Sequence, residues 1–90
     1  MRTLYTRADV EHLIHQWDSG YTLETAEARA DLMRARATLS EPQRIALHYL
    51  CSGYAPVEFA KLMCLAPATA RSLARTTLER LTDKMNRGEG

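Results

Sequence analysis

Proline, glycine and cysteine are scarce in this chain: its 90 residues include three Pro, four Gly and two Cys. An all-β fold built on many tight turns needs more Gly and Pro than that, so helices are expected to carry the structure. Cys51 and Cys64 lie in apolar helical surroundings and form no C-x-x-C pair, so reduced thiols are expected rather than a disulfide. No apolar run reaches 18 residues and the start has no leader-like pattern, so the expected location is the cytoplasm, without a membrane partner.

Charge of one sign is also lacking. The net charge is +1. Residues 1–39 hold five Lys/Arg against six Asp/Glu, and residues 40–90 hold seven against five, so the halves carry −1 and +2. A surplus of two is far from the basic stripe of a strong autonomous nucleic-acid binder. If the chain binds nucleic acid, tight binding calls for a second copy, as in a homodimer, or for a tethering partner.

What is present is a globular balance, 46% hydrophobic and 26% charged. A chain this short buries only about 60 to 65% of its unfolded surface, so the core must be small. The pattern predicts a single all-α domain over residues 1–90, a compact five-helix fold with helices near 7–18, 22–37, 41–52, 56–64 and 67–85. An N-terminal helical pair occupies 7–37, the remaining helices 41–85, and a loose polar tail 86–90. Residues 1–6 receive no role.

In the first helix Val10, Leu13, Ile14 and Trp17 recur at i, i+3, i+4 and i+7, with Thr6 placed to cap its start and Gly20 to mark its end. That stripe closes the core or forms a partner surface, and the bulk of Trp17 favours the core. Thr22 is placed to cap the second helix, whose expected apolar stripe is Leu23, Ala26, Ala30, Met33 and Ala37. Ser40, Pro42 and Gln43 form a capping box with Pro in the first turn, which starts the third helix. Val57, Phe59, Ala60, Leu62 and Met63 supply apolar contacts in the fourth, and Pro67 forces a turn before the fifth. Phe59, Leu62, Leu78 and Leu81 are expected in the core. Along the fifth helix Ala70, Ala74, Thr77, Leu78, Leu81 and Met85 share a side, while Ala68, Arg71, Ser72, Arg75, Glu79 and Thr82 face away.

Two short helices around a tight turn, with Arg71 and Arg75 on the outer face of the second, are the layout of a helix-turn-helix. The segment from Arg36 to Leu81 resembles region 4 of bacterial sigma factors and the small sigma-like regulators of phages. The resemblance rests on Ala37, Leu39, Pro42, Arg44, Tyr49 and Gly53, then on Glu58-Phe59-Ala60, Met63 and Leu65, and on Thr69-Ala70-Arg71-Ser72, Thr77, Leu78 and Leu81. The chain departs from that pattern at Cys64, where the family usually has Gly, and at Ala66, where it has a Ser/Thr cap. It also departs at His48, Leu73 and Thr76, where the family tends to have basic residues, in Pro42, which comes one place late, and in one extra residue between Tyr49 and Gly53. With Cys64 at that place the turn must avoid positive φ or accept strain.

The resemblance implies sequence-specific binding of double-stranded DNA in transcription regulation, in a phage or other mobile element, by a chain too short to be a complete sigma factor. It implies Arg71 as the first base contact, Ser72 and Arg75 beside it, Thr69 near a phosphate and Ala68 at close groove approach, with Lys61 extending a positive band. The alternative is an interaction module of the same fold that binds RNA polymerase or another regulator as an adaptor or inhibitor. The plainest reading of Arg71, Arg75 and Glu79 is a solvated face with an Arg75–Glu79 pair. His12 and His15 stand three apart, a spacing that can chelate, but no further ligand cluster accompanies them, so no metal and no cofactor are expected. His48 near Cys51 lacks a third orienting group, so the chain is not expected to be an enzyme.

Overall fold

The computed structural model describes residues 4–18 and 23–87. They form five helices, α1 Arg7–His15, α2 Leu23–Arg36, α3 Glu41–Cys51, α4 Pro56–Leu62 and α5 Pro67–Asn86, with no strand among the described residues. The all-α expectation therefore holds, and the boundaries move by one to three residues at the helix ends. Gly20 and Thr22, the expected end of the first helix and cap of the second, lie outside the described residues, as do residues 1–3 and 88–90. The radius of gyration, 12.9 Å, is close to the roughly 12 Å of a folded chain this long.

Local chemistry starts the helices where the sequence indicated. The Thr6 hydroxyl accepts from the Asp9 N–H at 3.1 Å, and the Asp9 carboxylate accepts from the Thr6 N–H at 2.9 Å. Those bonds, the backbone one foremost, hold the Asp9 carboxyl below its usual range. Ser40 and Gln43 form the same reciprocal pair at the start of α3, at 3.0 and 3.4 Å. α4 keeps half of that device, because Glu58 accepts from the Ala55 N–H at 2.7 Å and Ala55 has no side-chain acceptor to return. α5 starts with no side-chain cap at Ala66 and with Pro67 in its first turn.

α5 is the spine and packs against all four other helices. Its C-terminal half supplies Leu81 and Met85 to one cluster, with Val10, Ile14, Leu32, Ala35, Leu39 and Leu47. Its N-terminal half supplies Ala70 and Ala74 to a second, with Ala46, Phe59 and Ala60. The Val10–Trp17 stripe belongs to the core: Val10 and Ile14 are buried, and Leu13 and Trp17 pack against the first cluster. Beyond α1 the chain is pinned by Arg29, which donates to the Trp17 carbonyl at 2.9 Å and stacks over the indole at 4.0 Å.

Two expected faces are corrected. α2 does not bury the side bearing Ala30, Met33 and Ala37; those residues are exposed, Met33 by 50%, and Asp31, Leu32 and Ala35 are buried instead. The helix is turned almost to its opposite side because Asp31 can be buried when satisfied: the Tyr5 hydroxyl donates to it at 2.7 Å, and Arg34 donates to its other oxygen. In α4, Leu62 is 55% exposed and Val57 51%, so Leu62 is not a core residue. Phe59 and Ala60 define the buried direction of this short helix, and at 100° per residue Val57 and Leu62 fall well to either side of it.

The segment before α1 is joined to the end of α5. The Tyr5 backbone N–H donates to the Asn86 side-chain oxygen at 2.6 Å, and the Asn86 amide donates back to the Tyr5 carbonyl at 3.0 Å. Asn86 therefore closes α5 and clasps the N-terminal segment, where the sequence suggested the start of a loose tail.

Candidate nucleic-acid interface

Four residues, Met63 to Ala66, connect α4 to α5. The turn closes through the Leu65 N–H, which donates to the Ala60 carbonyl at 2.8 Å, and the Cys64 N–H, which donates to the Lys61 carbonyl at 3.3 Å. This double bonding of the last α4 carbonyls requires a left-handed residue, and Cys64 takes that position at φ +58°. Of the two alternatives open to the turn, the chain accepts the strained one. α3 ends the same way with Gly53 at φ +93°, where Tyr54 donates to the Tyr49 carbonyl at 3.0 Å. The small residues Ala60 and Ala70, both buried, let α4 and α5 approach closely.

Beyond the turn, Ala68, Thr69, Arg71, Ser72 and Arg75 are all exposed on α5, and Lys61 is exposed on α4. They do not form one strip. At 100° per residue the five on α5 fan over about 160° and divide between two grooves. Ala68, Thr69 and Ser72 line a shallow one with Leu73 and Thr76, which contains no charged side chain. Arg71 and Arg75 line a second, of about 320 Å³, whose far wall carries Arg7, Glu11 and His15 of α1. Ile14, Leu50 and Leu78 help to form its apolar floor. Lys61 lines neither groove.

The charges on this surface are poorly neutralised. Among the described residues no ion pair engages Lys61, Arg71 or Arg75, and the one side-chain bond of Arg75 is a long 3.4 Å contact to the Ser72 hydroxyl. The Arg75–Glu79 pair of the plain solvated-face reading does not form. Glu79 instead faces Arg7 at 3.9 Å, and Arg7 also pairs with Glu11 at 3.4 Å.

Leu73 and Thr76, which stand where the resembled family tends to be basic, have structural roles. Leu73 packs against the second core cluster, and the Thr76 hydroxyl donates to the Leu73 carbonyl at 3.1 Å. Arg7 and His15 were not singled out for this surface in the sequence, and no local signal marks them, since only the tertiary packing of α1 beside α5 brings them to Arg71. A further basic group, Arg36, Arg44 and His48, gathers with Glu41, Ile45 and Tyr49 in a separate groove.

The other chemistry-bearing side chains are dispersed. His12, His15 and His48 are exposed, and among the described residues no three His, Cys, Asp or Glu side chains stand close enough to hold a metal ion. Burial, followed by the Asp18 charge, pushes the Cys51 thiol up to about 11, so it holds its proton at neutral pH and is a weak nucleophile. Cys51 and Cys64 are both free thiols, and no described helix is long and apolar enough to cross a membrane. No protein-family model, curated protein or solved structure matches the chain.

Proposed function

We propose that the chain binds double-stranded DNA through α4, the Cys64 turn and α5, as a helix-turn-helix regulator of transcription acting in the cytoplasm. The observation that carries this reading is the exposure of Arg71, Ser72 and Arg75, with both guanidinium groups outside any ion pair among the described residues, on a helix held to α4 by a bonded turn. A guanidinium fork can donate to guanine O6 and N7 together, and the small Ala68 permits close approach to a base or a thymine methyl. Thr69 and the uncapped N–H groups at the start of α5 suit a flanking phosphate. Glu11 and Glu79, next to the Arg face, oppose nonspecific phosphate binding, so affinity depends on a second copy or a tether.

Fluorescence anisotropy with a pool of labelled genomic duplexes tests this reading. Binding at low salt is expected to weaken with a log–log salt slope no steeper than about −3 per bound chain, one unit for each of Lys61, Arg71 and Arg75. Arg71→Ala and Arg75→Ala are each expected to weaken the preferred duplex by about 5- to 150-fold, the worth of one bidentate base contact. Absence of binding at low salt to every duplex in the pool would overturn it.

A second reading, an adaptor for RNA polymerase or another regulator, is favoured by Val57 and Leu62, which stand half exposed on α4, Leu62 beside the same turn. In that case Leu62→Ser would abolish capture of purified polymerase or the regulator while Arg71→Ala left it intact.

A further inference from the structure

The groove between α1 and α5 has the chemistry of a small-molecule site. We infer that it binds a small amphipathic anion, a phosphate monoester or carboxylate on a single ring or short branched chain, with the head group on Arg71 and Arg75 and the body on the floor beneath. A ligand seated on Arg71 and Arg75 would compete with any base contact made by those two side chains, and its binding does not rest on the DNA reading.

Three features support the assignment. The first is charge: three guanidinium groups line the groove against one carboxylate, Glu11. Arg7 is already shared between Glu11 and Glu79, whereas Arg71 and Arg75 have no ion pair among the described residues. Being four apart on one helix, they lie within about 6 Å of each other at their Cβ atoms, close enough to grip one oxyanion with two planar forks. The second is the floor. Ile14 and Ala74 are buried, Leu50 and Leu78 are half buried, and Pro56 adds a rigid edge, so a ligand body would meet apolar surface on entering. The third is permanence and size. α1 is not a removable flap, because Val10 and Ile14 of the same helix are in the main core, and the volume of about 320 Å³ lies at the small end of the range for ligand pockets, about 300 to 1,000 Å³. A preformed groove that small suits one ring rather than a polymer.

Two-dimensional amide NMR of the full chain, titrated with phenyl phosphate, tests the assignment. Saturable shifts are expected in Glu11 to His15 and in Arg71 to Leu78, with a dissociation constant at least tenfold below those of inorganic phosphate, which lacks the ring, and benzyl alcohol, which lacks the charge. Arg71→Gln and Arg75→Gln, both at exposed positions, should each weaken phenyl phosphate by about tenfold with the rest of the spectrum unchanged. Glu11→Gln should tighten it by a few fold, since it removes the one lining carboxylate. Equal affinity for inorganic and phenyl phosphate would mean nonspecific anion binding and would overturn the proposal. So would shifts centred on Arg36 and Arg44, or binding that survives the double arginine substitution.

Discussion

The Leu65 N–H donates to the Ala60 carbonyl at 2.8 Å, and the geometry of that bond holds the intervening Cys64 at φ +58°. A side chain in the left-handed region costs roughly 1 to 2 kcal/mol. Gly53 occupies the equivalent place at the end of α3, so the same chain contains one turn that avoids this cost and one that bears it.

Cys64→Gly should therefore stabilise the domain, by about 0.5 to 1 kcal/mol once the greater freedom of glycine in the unfolded chain is subtracted. For a domain of this size that is a rise in Tm of about 2 to 8 °C, measurable by thermal unfolding. Gly53→Ala is the converse test. A Cβ added there meets nothing within 4 Å, so its expected loss of about 1 kcal/mol isolates the backbone term. An unchanged Tm in Cys64→Gly would show that the turn is not strained.

Tyr5→Phe should cost about 1 to 3 kcal/mol in urea unfolding, because it removes the hydroxyl donor from a carboxylate buried to 1% exposure. The Tyr5 backbone bonds to Asn86 do not involve the hydroxyl, so the loss should come without fraying of the α5 end.

α1 and α5 were legible in the sequence because their apolar residues recur at helical spacing, and the one polar residue on the buried side of α5, Thr77, is satisfied within the helix by the Leu73 carbonyl. α2 was not. Its alanines are spread around the helix, and the decisive residue, Asp31, looks solvent-facing until Tyr5, 26 positions earlier, is brought against it. The exposure of Ala68, Arg71, Ser72 and Arg75 on α5 was also readable from spacing alone. Their division between a charge-free groove and a basic one was not, since it is set by where α1 packs.

Leu62→Ser and Leu81→Ala separate the corrected core from the expected one. Leu81 is fully buried in the main cluster, and its truncation should cost about 2 to 5 kcal/mol. Leu62, more than half exposed, should change unfolding by no more than about 0.5 kcal/mol.

Alkaline titration should reveal Cys51. Its thiol ionises at about 11 in the folded chain, above the ordinary 9.0, so the folded state retains the proton more tightly than the unfolded one. The resulting stabilisation is complete below about pH 9 and is lost as the pH rises through about 11. The stability difference between the native chain and Cys51→Ala, followed by urea unfolding across that window, should shrink steadily; a constant difference would place the thiol in a more hydrated site.

The continuity of α5 through both apolar clusters has a consequence for cooperativity. Ala70 and Leu81 belong to different clusters yet to one uninterrupted helix, so the helix backbone couples the two clusters and loss of one weakens the anchoring of the other. Amide hydrogens from Ala74 to Met85 are thus expected to exchange with solvent through one shared global opening, at a single rate-limiting free energy, while the first turn of α5 exchanges sooner.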